Sequence, residues 1–160
     1  MTFNSPTYGR MSFEEMFKRL ITFIEQAPEK KHNIIVGTDS APGEVINYIT
    51  AIVVHRVGQG GCYFYSRIRE RKQRGLNQRI FYEVALSLEM ASKISEKLSE
   101  NGWADLPLEI HLDVGNKGET RKIIQEVVGM VTGSGYKVKT KPDSYGASKV
   151  ADRYSHSMSS

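Results

Sequence analysis

The sequence predicts an α/β fold: a single domain on a five-stranded mixed sheet, three antiparallel strands then two parallel ones, flanked by helices and preceded by an extra N-terminal helix. Three observations lead there. Ile46 to Val57 and Cys62 to Lys72 are long β-rich segments split only by Gly58-Gln59-Gly60-Gly61, and with the strand before them they read as an antiparallel meander. From Asn77 to about Glu100 the apolar period turns helical, with Ile80, Val84, Leu88, Ala91, Ile94 and Leu98 on one stripe. Beyond Asn101-Gly102, strand and helix alternate, which implies right-handed parallel crossovers.

In chain order, residues 1–10 are polar and turn-rich. Ser12, with Glu15 three residues on, is a capping box that opens a helix whose apolar face is Phe13, Met16, Phe17, Leu20, Ile21 and Ile24. That aromatic face suits either of two tasks, sealing one side of the sheet or forming a homodimer contact. After Pro28 and Lys30-Lys31-His32, the first strand ends on Asp39, and Ala41-Pro42-Gly43-Glu44 reads as a turn. After the meander and the long helix come a strand at 108–114, a helix over about 119–132, a strand at 136–141 and a helix over about 147–157. Trp103, in the turn beside Gly102, reads as packing, and residues 157–160 read as frayed. The chain therefore divides into an N-terminal extension and helix, 1–32, and a core domain, 33–158, expected to form one unit.

At 160 residues the chain can bury a proper core without staples. Cys62 is the sole cysteine, which excludes an internal disulfide and a cysteine-based zinc site and fits a reducing cytoplasm. His32, His55, His111 and His156 show no metal-binding spacing. The start Met1-Thr2-Phe3-Asn4-Ser5-Pro6 has no basic and apolar leader, and no apolar run reaches the roughly 18 residues of a membrane span, so a soluble, unexported protein is expected. A net charge of +4 and a pI near 9.1 raise the prospect of an anionic partner.

Two apolar runs end on an aspartate and turn: Ile34-Ile35-Val36-Gly37-Thr38-Asp39-Ser40 and Leu108-Glu109-Ile110-His111-Leu112-Asp113-Val114-Gly115. Each aspartate alone reads equally as a turn residue or helix cap. The element order, however, is that of the ribonuclease H fold, which sets those two strands side by side at the sheet centre and draws further carboxylates from the first long helix and the last. At about 100° per residue, Glu83 lies roughly 70° from the centre of its helix's apolar stripe, whereas Glu89, at roughly 170°, and Glu96 face water. In the last helix Ala147, Ala151, Tyr154 and Met158 form the apolar stripe, with Ser148, Asp152 and His156 on the adjacent face. Asp39, Glu83, Asp113 and Asp152 are thus the candidate catalytic and metal-binding set. Asp143, in a turn after Pro142, is the reserve, and Asn116 with Glu119 reads as a local capping pair.

The chain resembles a bacterial family of ribonuclease H-like proteins of the YkuK type. The likeness is carried by Phe3-Asn4-Ser5-Pro6, Gly37-Thr38-Asp39-Ser40, His111-Leu112-Asp113-Val114-Gly115, Val127-Val128-Gly129-Met130-Val131, Lys141-Pro142-Asp143-Ser144-Tyr145 and Val150-Ala151-Asp152-Arg153 in that order. The resemblance implies the fold and a nuclease activity. Phosphodiester hydrolysis by this route uses two divalent ions roughly 3.5 to 4 Å apart. Oxygen ligands select Mg²⁺ or Mn²⁺. The resemblance also implies the roles: Asp39 bridging both ions, Glu83 and Asp113 holding the one near the leaving group, and Asp152 helping to hold the one that activates water. His156, a turn past Asp152, reads first as an ion-pair partner of Asp152 on a solvated face, with a role as accessory to proton transfer or product release as the second reading.

For nucleic-acid binding, Arg67, Arg69 and Arg71 alternate along the third strand on the face of Tyr63 and Tyr65, and Lys72, Arg74 and Arg79 lead on toward the Glu83 helix. Lys137, Lys139 and Lys141 alternate on the last strand. Both strands are expected at sheet edges, where charge also serves to block aggregation. The reading favoured is a metal-dependent nuclease for RNA, an RNA–DNA hybrid or structured DNA. The alternative is a non-catalytic module of the same fold binding nucleic acid or a protein. A phosphotransferase, suggested by Leu112-Asp113-Val114-Gly115, would need a second lobe that this chain lacks.

Overall fold

The computed structural model describes residues 1–115 and 121–141. These form β1 (Thr2–Ser5), β2 (Gly9–Ser12), α1 (Phe13–Glu25), β3 (His32–Ala41), β4 (Ile46–Arg56), β5 (Gly61–Glu70), α2 (Leu76–Glu100), β6 (Leu108–His111), α3 (Ile124–Gly133) and β7 (Lys137–Lys139). The strands make one mixed sheet in the order β2-β1-β5-β4-β3-β6-β7, in which the β3–β6 and β6–β7 pairings are parallel and the others antiparallel.

The sheet has seven strands where five were expected, and the two extra strands come from the segment read as turns. The hairpin forms because Ser5 Oγ accepts the N–H groups of Thr7 and Tyr8, and Gly9 takes φ +74°, a left-handed conformation glycine adopts without strain. Phe3 and Met11 face each other across it and are buried in the core. Because β1 also pairs with β5, the strand carrying the arginine stripe is not an edge, contrary to expectation. β7 does lie at an edge of the described sheet.

All three described helices pack on one sheet face. Strand alternation sends Ile34, Val36, Ile52, Val54 and Phe64 into a cluster with Met16, Phe17, Leu20 and Ile24 of α1 and Met90, Ile94 and Leu98 of α2. Each such side chain, fully buried, contributes roughly 1.5–3 kcal/mol. The expected Ser12 cap is present, with Ser12 Oγ accepting the Glu15 N–H at 3.2 Å. Of the two tasks open to α1, its apolar face performs the sealing one through Met16, Phe17, Leu20 and Ile24, which are buried, with Phe13 and Ile21 partly buried beside them. A second cluster joins Ile80, Val84 and Ala91 of α2 to Ile110, Leu112, Val127 and Val131. On the opposite face, Ile35, Ile49 and Ala51 form a small apolar group beside Val53 and Tyr65.

Candidate active site

β3 continues to Ala41, past the residue expected to end it, because β4 pairs with it at ten successive positions, including Asp39 with Ile49. Asp39 therefore sits inside a ladder. β6 is shorter than expected and stops at His111, so Asp113 lies just beyond it. The two strands are parallel neighbours, with Val36 level with Ile110. Carrying that register three residues on brings Asp113 level with Asp39.

Alternation turns Thr38 and Ser40 toward α2 and Asp39 to the other sheet face. Thr38 Oγ1 is 2.9 Å from Thr50 Oγ1 and 2.7 Å from Ser87 Oγ, a buried hydroxyl chain that ties α2 to β3 and β4. This chain and the burial of Ile80, Val84 and Ala91 fix the rotation of α2, and Glu83 comes out on the flank of the stripe, where Ser40 Oγ donates to Glu83 Oε2. Glu89 and Glu96 are exposed. Glu83, Asp113, Thr38, Ser87 and Leu112 line one small recess. Asp113 Oδ1 is 2.9 Å from Lys141 Nζ, and the Lys141 N–H donates to the Val114 carbonyl at 2.9 Å. Gly115 leaves room for that lysine, since a Cβ there would stand 3.3 Å from Lys141 Cβ.

Glu83 is electrostatically the most perturbed member. Burial pushes its carboxyl up to about 8, and the charges of Asp39 and Asp113 add to the rise, while the Ser40 hydrogen bond and the Arg79 guanidinium oppose it. Arg79 Nε is buried and makes no hydrogen bond among the described residues. As the side chains stand, no three His, Cys, Asp or Glu residues among those described form a ready metal cage. Asp152, His156 and the reserve Asp143, with the capping pair Asn116 and Glu119, lie outside the described residues.

The basic candidates separate into two groups. Arg67 and Arg69 lie on the sheet face away from the helices, with Tyr63 and Tyr65, and Arg71 and Lys72 are exposed beyond β5. Arg74 is built into the fold: it pairs with Glu70, bonds Tyr48 Oη at 3.2 Å and lies 3.9 Å over the Tyr82 ring. Tyr82 Oη donates to Glu70 Oε1 at 2.7 Å. On β7, Lys139 lies 3.9 Å from Glu109, which is also 3.4 Å from His111 Nε2. Sequence reasoning did not single out Ser40 or the pairing of Lys141 with Asp113. Strand alternation could have found Ser40, since it shares the α2-facing side with Thr38.

A sequence profile described as ribonuclease H-like matches residues 15–156. The chain is also 35% identical over 159 residues to the uncharacterized protein YkuK of Bacillus subtilis (strain 168), an alignment covering 91% of this chain and 92% of that one. No solved structure matches it. Among the described residues no helix is long and apolar enough to cross a membrane.

Proposed function

Because this chain belongs to the ribonuclease H-like family, of the YkuK type, and holds a half-buried Glu83 under the like charge of Asp39 and Asp113, we propose that it is a divalent-metal-dependent nuclease. The observation that carries the reading is that Glu83 and Asp113 line one recess with the charge of Asp39 close enough to act on Glu83. A half-buried carboxyl with two carboxylates near it gains most from a cation of charge two, and an all-oxygen donor set suits Mg²⁺ or Mn²⁺. Asp39, Glu83 and Asp113 would hold the ions, with Asp152 as the fourth ligand. When bound, such ions lower the pKa of water and stabilise charge on the attacking and leaving oxygens. Ser40 fixes the Glu83 carboxylate by its hydrogen bond, and Lys141 neutralises Asp113. The substrate is RNA, an RNA–DNA hybrid or structured DNA.

The test is a cleavage screen over hybrid, single-stranded RNA, duplex DNA and branched DNA with Mg²⁺ and with Mn²⁺. Parent protein should cut at least one, and Asp39→Asn and Asp113→Asn should abolish cutting with the fold intact. Equal cleavage by parent and both variants would end the catalytic assignment. A second reading, a module that binds nucleic acid or a protein without cutting, is favoured by the engagement of Asp113 with Lys141. It predicts binding without cleavage across the whole screen.

A further inference from the structure

The β1–β2 hairpin does more than widen the sheet. Asn4 is level with Tyr65 on β5 and with Arg10 on β2, so all three side chains share the face that carries Arg67 and Arg69, away from α1. Thr2, Asn4, Arg10, Tyr65, Arg67 and Arg69 line one open groove there. Its lining holds three guanidinium groups and no carboxylate.

The shape of that charge narrows the ligand. Arg67 and Arg69 are two residues apart on one strand, about 6.5–7 Å, a spacing that matches successive phosphates along a chain. Arg10 adds a third cation two strands away, about 10 Å across the sheet. Guanidinium forks bind phosphate oxygens bidentately, and the Thr2 hydroxyl and Asn4 amide supply further donors to phosphate or sugar. Tyr65 offers a ring at the same surface for a base or sugar. The fold also holds Arg67 and Arg69 close enough for each to feel the other's charge, a repulsion that a polyanion relieves.

The groove is oriented relative to the acidic pair. Arg67 is level with Ile49, and Ile49 with Asp39, so one cross-strand row runs from the groove to Asp39 over two strand spacings, about 10 Å. We infer that this groove is a second nucleic-acid site, which holds the sugar–phosphate backbone of a strand one or more nucleotides away from the point of cutting. The inference rests on the nuclease reading for its purpose and on the groove's own residues for its chemistry.

The test measures binding without metal, so that it stands apart from cleavage. Fluorescence anisotropy of a labelled single-stranded RNA 12-mer, in EDTA and over a series of salt concentrations, is compared for parent, Arg10→Gln, Arg69→Gln and the double variant. Lys93→Gln, on the outer side of α2, is the control. Each groove variant should weaken binding about three- to tenfold and lower the slope of log K against log salt by about 0.7 per lost phosphate contact, with the control unchanged. Unchanged affinity and slope in the double variant would overturn the site, as would equal binding of an acidic peptide of the same length. If no substrate is ever cut but the slope changes hold, the nuclease reading falls and the groove stands. If cleavage persists and the slopes do not move, the groove falls alone.

Discussion

Glu70, at the end of β5, and Glu83, in the early turns of α2, are treated by the fold in opposite ways. Glu70 receives the Arg74 guanidinium and the Tyr82 hydroxyl, which together hold its carboxyl below the usual carboxylate range. Glu83 is half-buried, loses hydration there, receives one hydroxyl from Ser40 and feels the charges of Asp39 and Asp113, so its carboxyl rises to about 8. A carboxylate with its own internal cation serves the fold. One left among like charges is a place for a cation from outside, and pairs of groups pushed apart in this way mark functional sites.

Cleavage gives the largest contrast. Glu83→Gln should lower Mg²⁺-dependent cutting about a thousandfold or more, the scale of losing several kcal/mol of charge stabilisation at the reacting oxygens. Glu70→Gln should cut within about threefold of parent under the same conditions. Equal losses in the two variants, measured as initial rates on the best substrate of the screen, would erase the distinction.

Stability against pH comes next, and the two glutamates act with opposite sign. Glu83 binds its proton more tightly folded than unfolded, so in metal-free protein its contribution is full below the unfolded value near 4.5 and is lost as pH rises toward about 8. Glu70 binds its proton less tightly folded, so its contribution is present above the unfolded value and is lost as pH falls through its lowered one. Urea denaturation in EDTA should show Glu83→Gln removing the alkaline decline, an effect of a few kcal/mol, and Glu70→Gln flattening the acid one. Ser40→Ala, which takes away a hydrogen bond favouring the charged form of Glu83, should move the alkaline decline to higher pH. A decline unaffected by Glu83→Gln would assign it to another group.

The part of this contrast that depends on periodicity was legible in the sequence. The helical stripe from Ile80 to Leu98 fixes the angle of Glu83, and β-α-β order makes β3 and β6 neighbours. The hairpin was not legible, because Thr2–Ser5 and Gly9–Ser12 are too short and polar for alternation to show, and Ser5-Pro6-Thr7-Tyr8-Gly9 reads as turn whether or not strands flank it. The end of β3 was misread for a related reason: Thr38-Asp39-Ser40-Ala41 has turn composition, and only pairing with the long β4 keeps it extended. The pairing of Arg74 was legible only in part: Glu70 stands four residues before it, but residues 71–75 form neither helix nor strand, so no periodicity presents Arg74 to Glu70 and to the Tyr82 ring together.

The smallest expected effect probes whether Glu70 and Glu83 are truly separate. Tyr82 is the residue before Glu83, yet its hydroxyl donates to Glu70, and its ring lies under Arg74 and edge-on to Tyr48, with centroids 4.7 Å apart. Tyr82→Phe keeps both ring contacts and removes the hydroxyl alone. The Tm should fall by about 2–4 °C, the scale of one net hydrogen bond in a domain of this size. Glu70, having lost its second support, should titrate nearer the ordinary carboxylate value, which moves the acid decline to higher pH. Neither the alkaline decline nor the cleavage rate should change. If Tyr82→Phe displaces the alkaline decline or slows cutting tenfold, the Arg74 cluster and the Glu83 site are one coupled network, and the division between a structural glutamate on β5 and a functional one on α2 fails.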